Sequence, residues 1–229
     1  YKNRFSFIKI LFHLRLGDTA NLDNLIPNKI INPWLEVYNY QRKQKIGQGI
    51  FDSADVYLNG RATNHWFLDL FRKASKKIGT ELNGIILGLV TDGFEAAFSF
   101  IKESGYLQQV LHDYGVSTSL SFLDQKEQEK QEILMEDFKH LDFIVYGEKN
   151  FSETIANILD ADIIVTSTGK FSFTISEYLS NKQQKRIIYN QAFSSQNTLL
   201  AQNPINSPEA VDELVDLIKI AISDLTSNN

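Results

Sequence analysis

The sequence predicts an α/β fold with a doubly wound, mostly parallel sheet. Apolar runs of strand length alternate with stretches of helical period, the order expected when each strand is followed by a crossover helix. Several of the runs are apolar at consecutive positions, as strands buried on both faces of a parallel sheet are. The 229 residues are 43% hydrophobic and 12% aromatic, ample for a packed core and about the size of one large domain, or one domain with a small appendage.

Taken in order, the first strand is read in Phe5 to Leu14 (FSFIKILFHL). The segment Asp23 to Arg61, with Pro27, Pro33, Gly47, Gly49 and Gly60, reads as an irregular insertion after it. A helix follows near Asn64 to Ile78, then a strand at Gly84 to Thr91 (GIILGLVT) and a helix at Glu95 to Gly105. The charged window Asp124 to Lys139 holds a helix from Gln125, read as a solvated face rather than a binding tail. Asp142 to Tyr146 (DFIVY) is the next strand, Ser152 to Leu159 a helix, and Asp162 to Thr166 (DIIVT) a strand. Phe171, Ile175, Tyr178 and Leu179 fall at i, i+4, i+7 and i+8, so a helix starts near Lys170 and runs to Leu179. Arg186 to Tyr189 closes the set of strands and Pro208 to Leu225 is the last helix.

Charge and composition exclude several function classes. Lys and Arg number 23 against 28 Asp and Glu, a net charge of −5, and the basic residues are scattered. That balance argues against a broad nucleic-acid or anionic-membrane surface. With no cysteine, disulfides, zinc-thiolate sites, iron–sulfur clusters and thiol nucleophiles are excluded, and a cytoplasmic location is the default expectation. No run approaches the roughly 18 apolar residues of a membrane helix. Tyr1 is not an initiator Met and a strand starts within a few residues, so sequence upstream of it is expected.

Ligands of open α/β sheets bind outside the carboxyl ends of the strands, and three of those ends carry unusual chemistry. After the first strand comes His13-Leu14-Arg15-Leu16-Gly17-Asp18. A guanidinium at such a turn can hold two phosphate oxygens and never loses its charge, Gly17 allows close backbone approach, and Asp18 could orient Arg15. An ordinary Arg15–Asp18 surface pair fits the same residues. Thr91-Asp92-Gly93 ends another strand; the Asp92 carboxylate can accept from a ribose or base edge, or cap the helix that follows. The third end is the densest: Thr166, Ser167, Thr168, Ser172, Thr174 and Ser176 give six hydroxyls in eleven positions around Gly169 and Lys170. A strand, a Ser/Thr/Gly loop and a helix N-terminus favour an anion, phosphate first of all. Helix capping accounts for one of those hydroxyls, not for several.

Other motifs fail on inspection. The Gly169-Lys170 pair is no P-loop, because Ile164 stands where the leading Gly belongs and Phe171 where Ser or Thr is needed. Ile46-Gly47-Gln48-Gly49 lacks a third Gly and a preceding strand. His65, His112 and His140 have no second ligand at helical spacing, so a metal site is not expected. There is no Gly-x-Ser-x-Gly elbow.

The run HLRLGD resembles the His-x-Arg-x-Gly-Asp signature of the fucosyltransferase superfamily, whose members join fucose in α-1,2 or α-1,6 linkage or to protein hydroxyls. The run from Asp160 to Leu179 is similar to the second signature of the α-1,2 branch, and LVTDG resembles the strand end that lies between the two. The three occur in the family's order across about Ile8 to Tyr189. The resemblance implies a GT-B architecture of two facing Rossmann-like domains, of which this chain is the C-terminal, donor-binding half, with an acceptor domain expected upstream.

By the same resemblance Arg15 is the catalytic cation, holding the donor diphosphate and stabilising the departing GDP. His13, Gly17 and Asp18 lie beside it, Asp92 near the nucleoside, and Ser167, Thr168 and Ser172 in the phosphate pocket. No metal or cofactor is implied, the partners being a nucleotide-sugar, GDP-fucose by preference, and a glycan or other hydroxyl acceptor. The chain departs from the pattern in three respects. Leu16 replaces a second Arg, as in the protein O-fucosyltransferase branch; Thr168-Gly169-Lys170-Phe171 has an extra, basic residue; and Phe173-Thr174 stands where paired Trp often occurs. A domain of the same fold that binds a nucleotide-sugar without transferring it is the alternative expectation.

Overall fold

The computed structural model describes residues 7–14, 22–26, 29–31, 54–91, 112, 128, 131–147, 150–167, 178, 186–189 and 198–227, with only the backbone path in 22–26, 29–31, 54–66 and 186–189. Its centre is a six-stranded parallel sheet formed by β1 (Ile8–Leu14), β4 (Ile85–Thr91), β5 (Phe143–Tyr146), β6 (Ile163–Thr166), β7 (Arg186–Tyr189) and β8 (Thr198–Leu200). The strands lie in the order β5-β4-β1-β6-β7-β8. The parallel α/β expectation therefore holds, and the five strands read from sequence match those observed to within three residues at either end.

Burial follows the pleat. Ile10, Phe12 and Leu14 of β1 face one side, where they meet Leu87, Leu89, Ile163 and Val165 in the larger core cluster. Leu11 faces the other side with Val90, Val145, Ile158 and Ile164. Helix α1 (Ala54–Glu81) covers the first face through Phe67, Leu70, Phe71, Ala74 and Ile78, an i, i+3, i+4, i+7, i+11 stripe. Phe71 stacks obliquely on Phe12 at 5.2 Å and on Phe67 at 5.5 Å between ring centroids. Helix α2 (Phe151–Asp160) covers the second face through Ile158. Helix α3 (Ala210–Ser227) returns beside α1, burying Ala210, Leu214, Val215, Ile218 and Ala221. Lys77–Asp212 at 2.7 Å and Lys219–Glu81 at 2.8 Å pair the two helices at the surface.

Helical residues 131–137 lie on the α1 side, with Leu134 and Phe138 buried and Glu132, Ile133, Met135 and Glu136 exposed. The described part of the charged window is thus a solvated face on two apolar anchors, tied to α1 by Arg72–Asp137 at 3.2 Å and, just beyond it, by Ser75 Oγ to His140 Nε2 at 2.7 Å.

Three expectations need correction. Helix α1 begins at Ala54, ten residues before the predicted Asn64, and runs through Gly60. Part of the Asp23 to Arg61 insertion is regular: β2 (Leu22–Ile26) and β3 (Lys29–Ile31) form an antiparallel pair. Strand β8 was not anticipated, its three residues being too few to show a period. The predicted helix Glu95 to Gly105 and the start of the one at Phe171 lie outside the described residues; Tyr178 is helical.

Candidate functional site

Numbered by their place in the chain, the six parallel strands stand in the order 3-2-1-4-5-6. The order reverses between β1 and β6, and a crevice outside the carboxyl ends of the strands at such a reversal is where open parallel sheets bind ligands. The His-x-Arg-x-Gly-Asp run leaves one of these two strands and the Ser/Thr-rich run leaves the other. His13 pairs in register with Thr166, and the Ser167 N–H donates to the His13 carbonyl at 2.9 Å. Two motifs more than 150 residues apart are thereby joined at one point of the sheet edge.

The side chains there are unusual for a sheet interior. Five of the six buried polar residues described, His13, Thr91, Thr154, Thr166 and Ser167, belong to the carboxyl ends of the strands or to the first turn of α2, which starts at that edge. The sixth, Ser75, is on α1. His13 and Thr166 share the α2 face of the sheet, following Leu11 and Ile164 by two residues. His13 is 7% exposed and Ser167 fully buried. The Thr166 and Thr154 hydroxyls are buried with no hydrogen-bond partner among the described residues. Leaving such groups unsatisfied costs stability, so their concentration at one edge is a feature that packing alone does not explain.

The end of β5 belongs to the same edge. Tyr146 pairs with Thr91, and the Gly147 N–H donates to the Thr91 carbonyl at 2.6 Å. A Cβ on Gly147 would stand 3.3 Å from Thr154 Oγ1 and 3.5 Å from that carbonyl, so a residue without a side chain lets β5 turn tightly into α2. Asn150, the N-cap of α2, gives no side-chain hydrogen bond to the helix, whose first amides are left to other acceptors. On the opposite face a crevice of about 10 Å³, lined by Phe67, Phe71, Val165, Ala201 and Leu214, admits no more than a water molecule. Glu213 closes its rim, its carboxylate accepting from the Gln202 and Asn203 N–H groups at 2.6 and 3.0 Å.

Of the residues predicted to form the site, His13 and Ser167 are adjacent through the backbone as just described. Arg15, Gly17, Asp18, Asp92, Thr168 and Ser172 lie outside the described residues, as does His65's side chain. Thr91 and Thr166, each one residue before a predicted site position, carry buried hydroxyls at the edge. Tyr146, Gly147 and Thr154 had not been anticipated, although a Tyr-Gly pair closing an apolar run was a readable signal of a fourth strand end at this edge.

Among the described residues no three His, Asp or Glu side chains group as metal ligands, and no helix is long and apolar enough to cross a membrane. No family model matches the chain, and neither a curated protein nor a solved structure matches it.

Proposed function

We propose that this chain is the donor-binding domain of a metal-independent, inverting glycosyltransferase, doubly wound and of GT-B donor-domain type, that takes GDP-fucose and delivers fucose to a hydroxyl of a glycan or other acceptor. The observation that carries this reading is the juncture of β1 and β6, where the His13 carbonyl accepts the Ser167 N–H. Arg15 follows that juncture by two residues in one strand's exit and Thr168 by one in the other's. A guanidinium and a hydroxyl-rich run that follow adjacent strand ends in sequence suit a diphosphate. Breaking the sugar–phosphate bond builds charge on the β-phosphate, and a fixed cation with oriented amides stabilises it without a metal.

In this reading Arg15 neutralises the leaving diphosphate, His13 and Asp18 orient it, Gly17 admits the phosphate to the backbone, Asp92 accepts from the nucleoside, and Ser167, Thr168 and Ser172 supply the phosphate pocket.

Calorimetric titration with GDP, UDP and ADP, with and without chelator, tests the reading. Selective GDP binding insensitive to chelator is expected. Arg15→Ala should abolish it while leaving the thermal midpoint nearly unchanged, and Ser172→Ala should weaken it less, because helix amides remain. Failure of all three nucleotides to bind, or unaltered affinity in both variants, overturns the phosphate pocket. Once an acceptor domain is supplied, loss of a charge-stabilising donor of this kind costs on the order of 10²- to 10³-fold in rate.

A further inference from the structure

The tripeptide Leu-Asn-Gly occurs twice, at Leu58-Asn59-Gly60 and at Leu82-Asn83-Gly84, and the fold treats the two copies differently. The first lies inside α1, where each amide from the second turn onward is engaged with the carbonyl four residues before it. The second lies in the turn from α1 to β4. Gly84 has φ +73°, a left-handed conformation, and nothing lies within 4 Å of where its Cβ would be. Asn83 and Gly84 are both exposed, and the Gly84 N–H donates to no acceptor among the described residues, although its carbonyl accepts the Ile8 N–H at 3.0 Å. Among the described residues no side-chain hydrogen bond holds the Asn83 amide either.

An amide nitrogen that is unengaged, unhindered and next to an asparagine carboxamide is a nucleophile within reach of its electrophile. We propose that Asn83–Gly84 is a site of spontaneous backbone modification. The Gly84 nitrogen attacks Asn83 Cγ, the Cγ–Nδ2 bond breaks, and the proton from the Gly84 amide leaves with the departing ammonia. The resulting five-membered imide then takes up one water, opening at either carbonyl to give aspartate or isoaspartate at position 83. No oxidant, metal or enzyme is needed. Either product adds a negative charge beside the hydrogen bond that joins the Gly84 carbonyl to β1, and isoaspartate also lengthens the backbone by one carbon directly before β4. Asn59, with the same neighbours in sequence on either side, is protected by its helix.

The test is to incubate the whole folded chain at mildly alkaline pH and follow both positions by peptide mapping with isoaspartate detection, alongside the same chain in concentrated urea. In the folded protein Asn83 should convert at least about tenfold faster than Asn59, the ratio that about 1.4 kcal/mol of local helix opening imposes. In urea the two should convert at similar rates, and Asn83→Gln should remove the faster product without changing the slower. Equal rates in the folded protein, or a folded-state Asn83 slower than in urea by as much as Asn59 is, would overturn the proposal.

Discussion

The two edges of the sheet handle polar groups in opposite ways. At the amino edge they satisfy one another. Asp162, immediately before β6, donates its N–H to the Lys9 carbonyl at 2.9 Å and accepts the Lys9 N–H on its carboxylate at 2.8 Å. Asp142, immediately before β5, repeats the arrangement on Leu87, at 2.8 and 2.5 Å. The Lys9 ammonium bonds Asn157 at 2.8 Å and lies 4.9 Å from the centre of the Phe143 ring. The carboxyl edge instead gathers five buried polar residues and leaves the Thr166 and Thr154 hydroxyls without a partner among the described residues. One edge closes its polar groups on one another; the other is where the proposed ligand would supply their partners.

Changes at the amino side should therefore cost stability and spare nucleotide binding. The largest effect is expected at Gly88, which pairs in register with Phe143 and whose absent Cβ would stand 2.1 Å from that ring. Gly88→Ala should lower stability by about 1–3 kcal/mol through overpacking, read by urea unfolding, with GDP affinity unchanged in whatever fraction folds. Asp162→Ala removes the carboxylate that accepts the Lys9 N–H, and should cost about 1–2 kcal/mol by the same measurement. Loss of GDP affinity at constant stability in either variant would break the comparison.

At the carboxyl edge the signs reverse. Thr166→Val replaces an unpartnered buried hydroxyl with a methyl group of the same size, so the free protein should be unchanged or more stable by up to about 1 kcal/mol. GDP affinity should fall. A loss of stability comparable to that of Asp162→Ala would mean that the Thr166 hydroxyl is structural.

The smallest effect belongs to neither edge. Partial burial, and then the charge of Lys76, hold His140 below the ordinary imidazole range. With the folded value depressed, the unfolded chain takes up the proton first. The contribution to stability is therefore full above the ordinary value of about 6.5 and is lost as pH falls through it toward the folded value. The thermal midpoint of the wild type should drop slightly more than that of His140→Gln across this window; an equal drop would remove His140 from the pH response.

The same contrast explains what could be read from sequence. Strands buried on both faces announce themselves as unbroken apolar runs, so β1 and β4 to β7 were legible. The two Asp residues read as strand starts stand one residue before their strands, Asp142 and Asp162 each bonding the neighbouring strand through N–H and carboxylate. The start of α1 was not legible, since Asn59-Gly60 is a turn signal that the helix overrides through the packing of its later Phe67–Ile78 stripe. The strand order is a tertiary fact. No local pattern says that β6 lies beside β1, and hence that His13 and Ser167 meet; that follows only from α2 carrying the chain from β5 across the sheet. Similarly, Thr154 reads as one of many helix threonines until the fold sets it against Gly147.

Amide hydrogen exchange with and without GDP tests the contrast most directly. Protection should rise at the carboxyl ends, in residues 12–14, 90–91 and 166–167, and at the first turn of α2, while 85–87, 142–143 and 162–163 stay unchanged. Protection confined to the amino edge, or no change at either edge with GDP at saturating concentration, would contradict the assignment of the ligand site to the β1–β6 juncture.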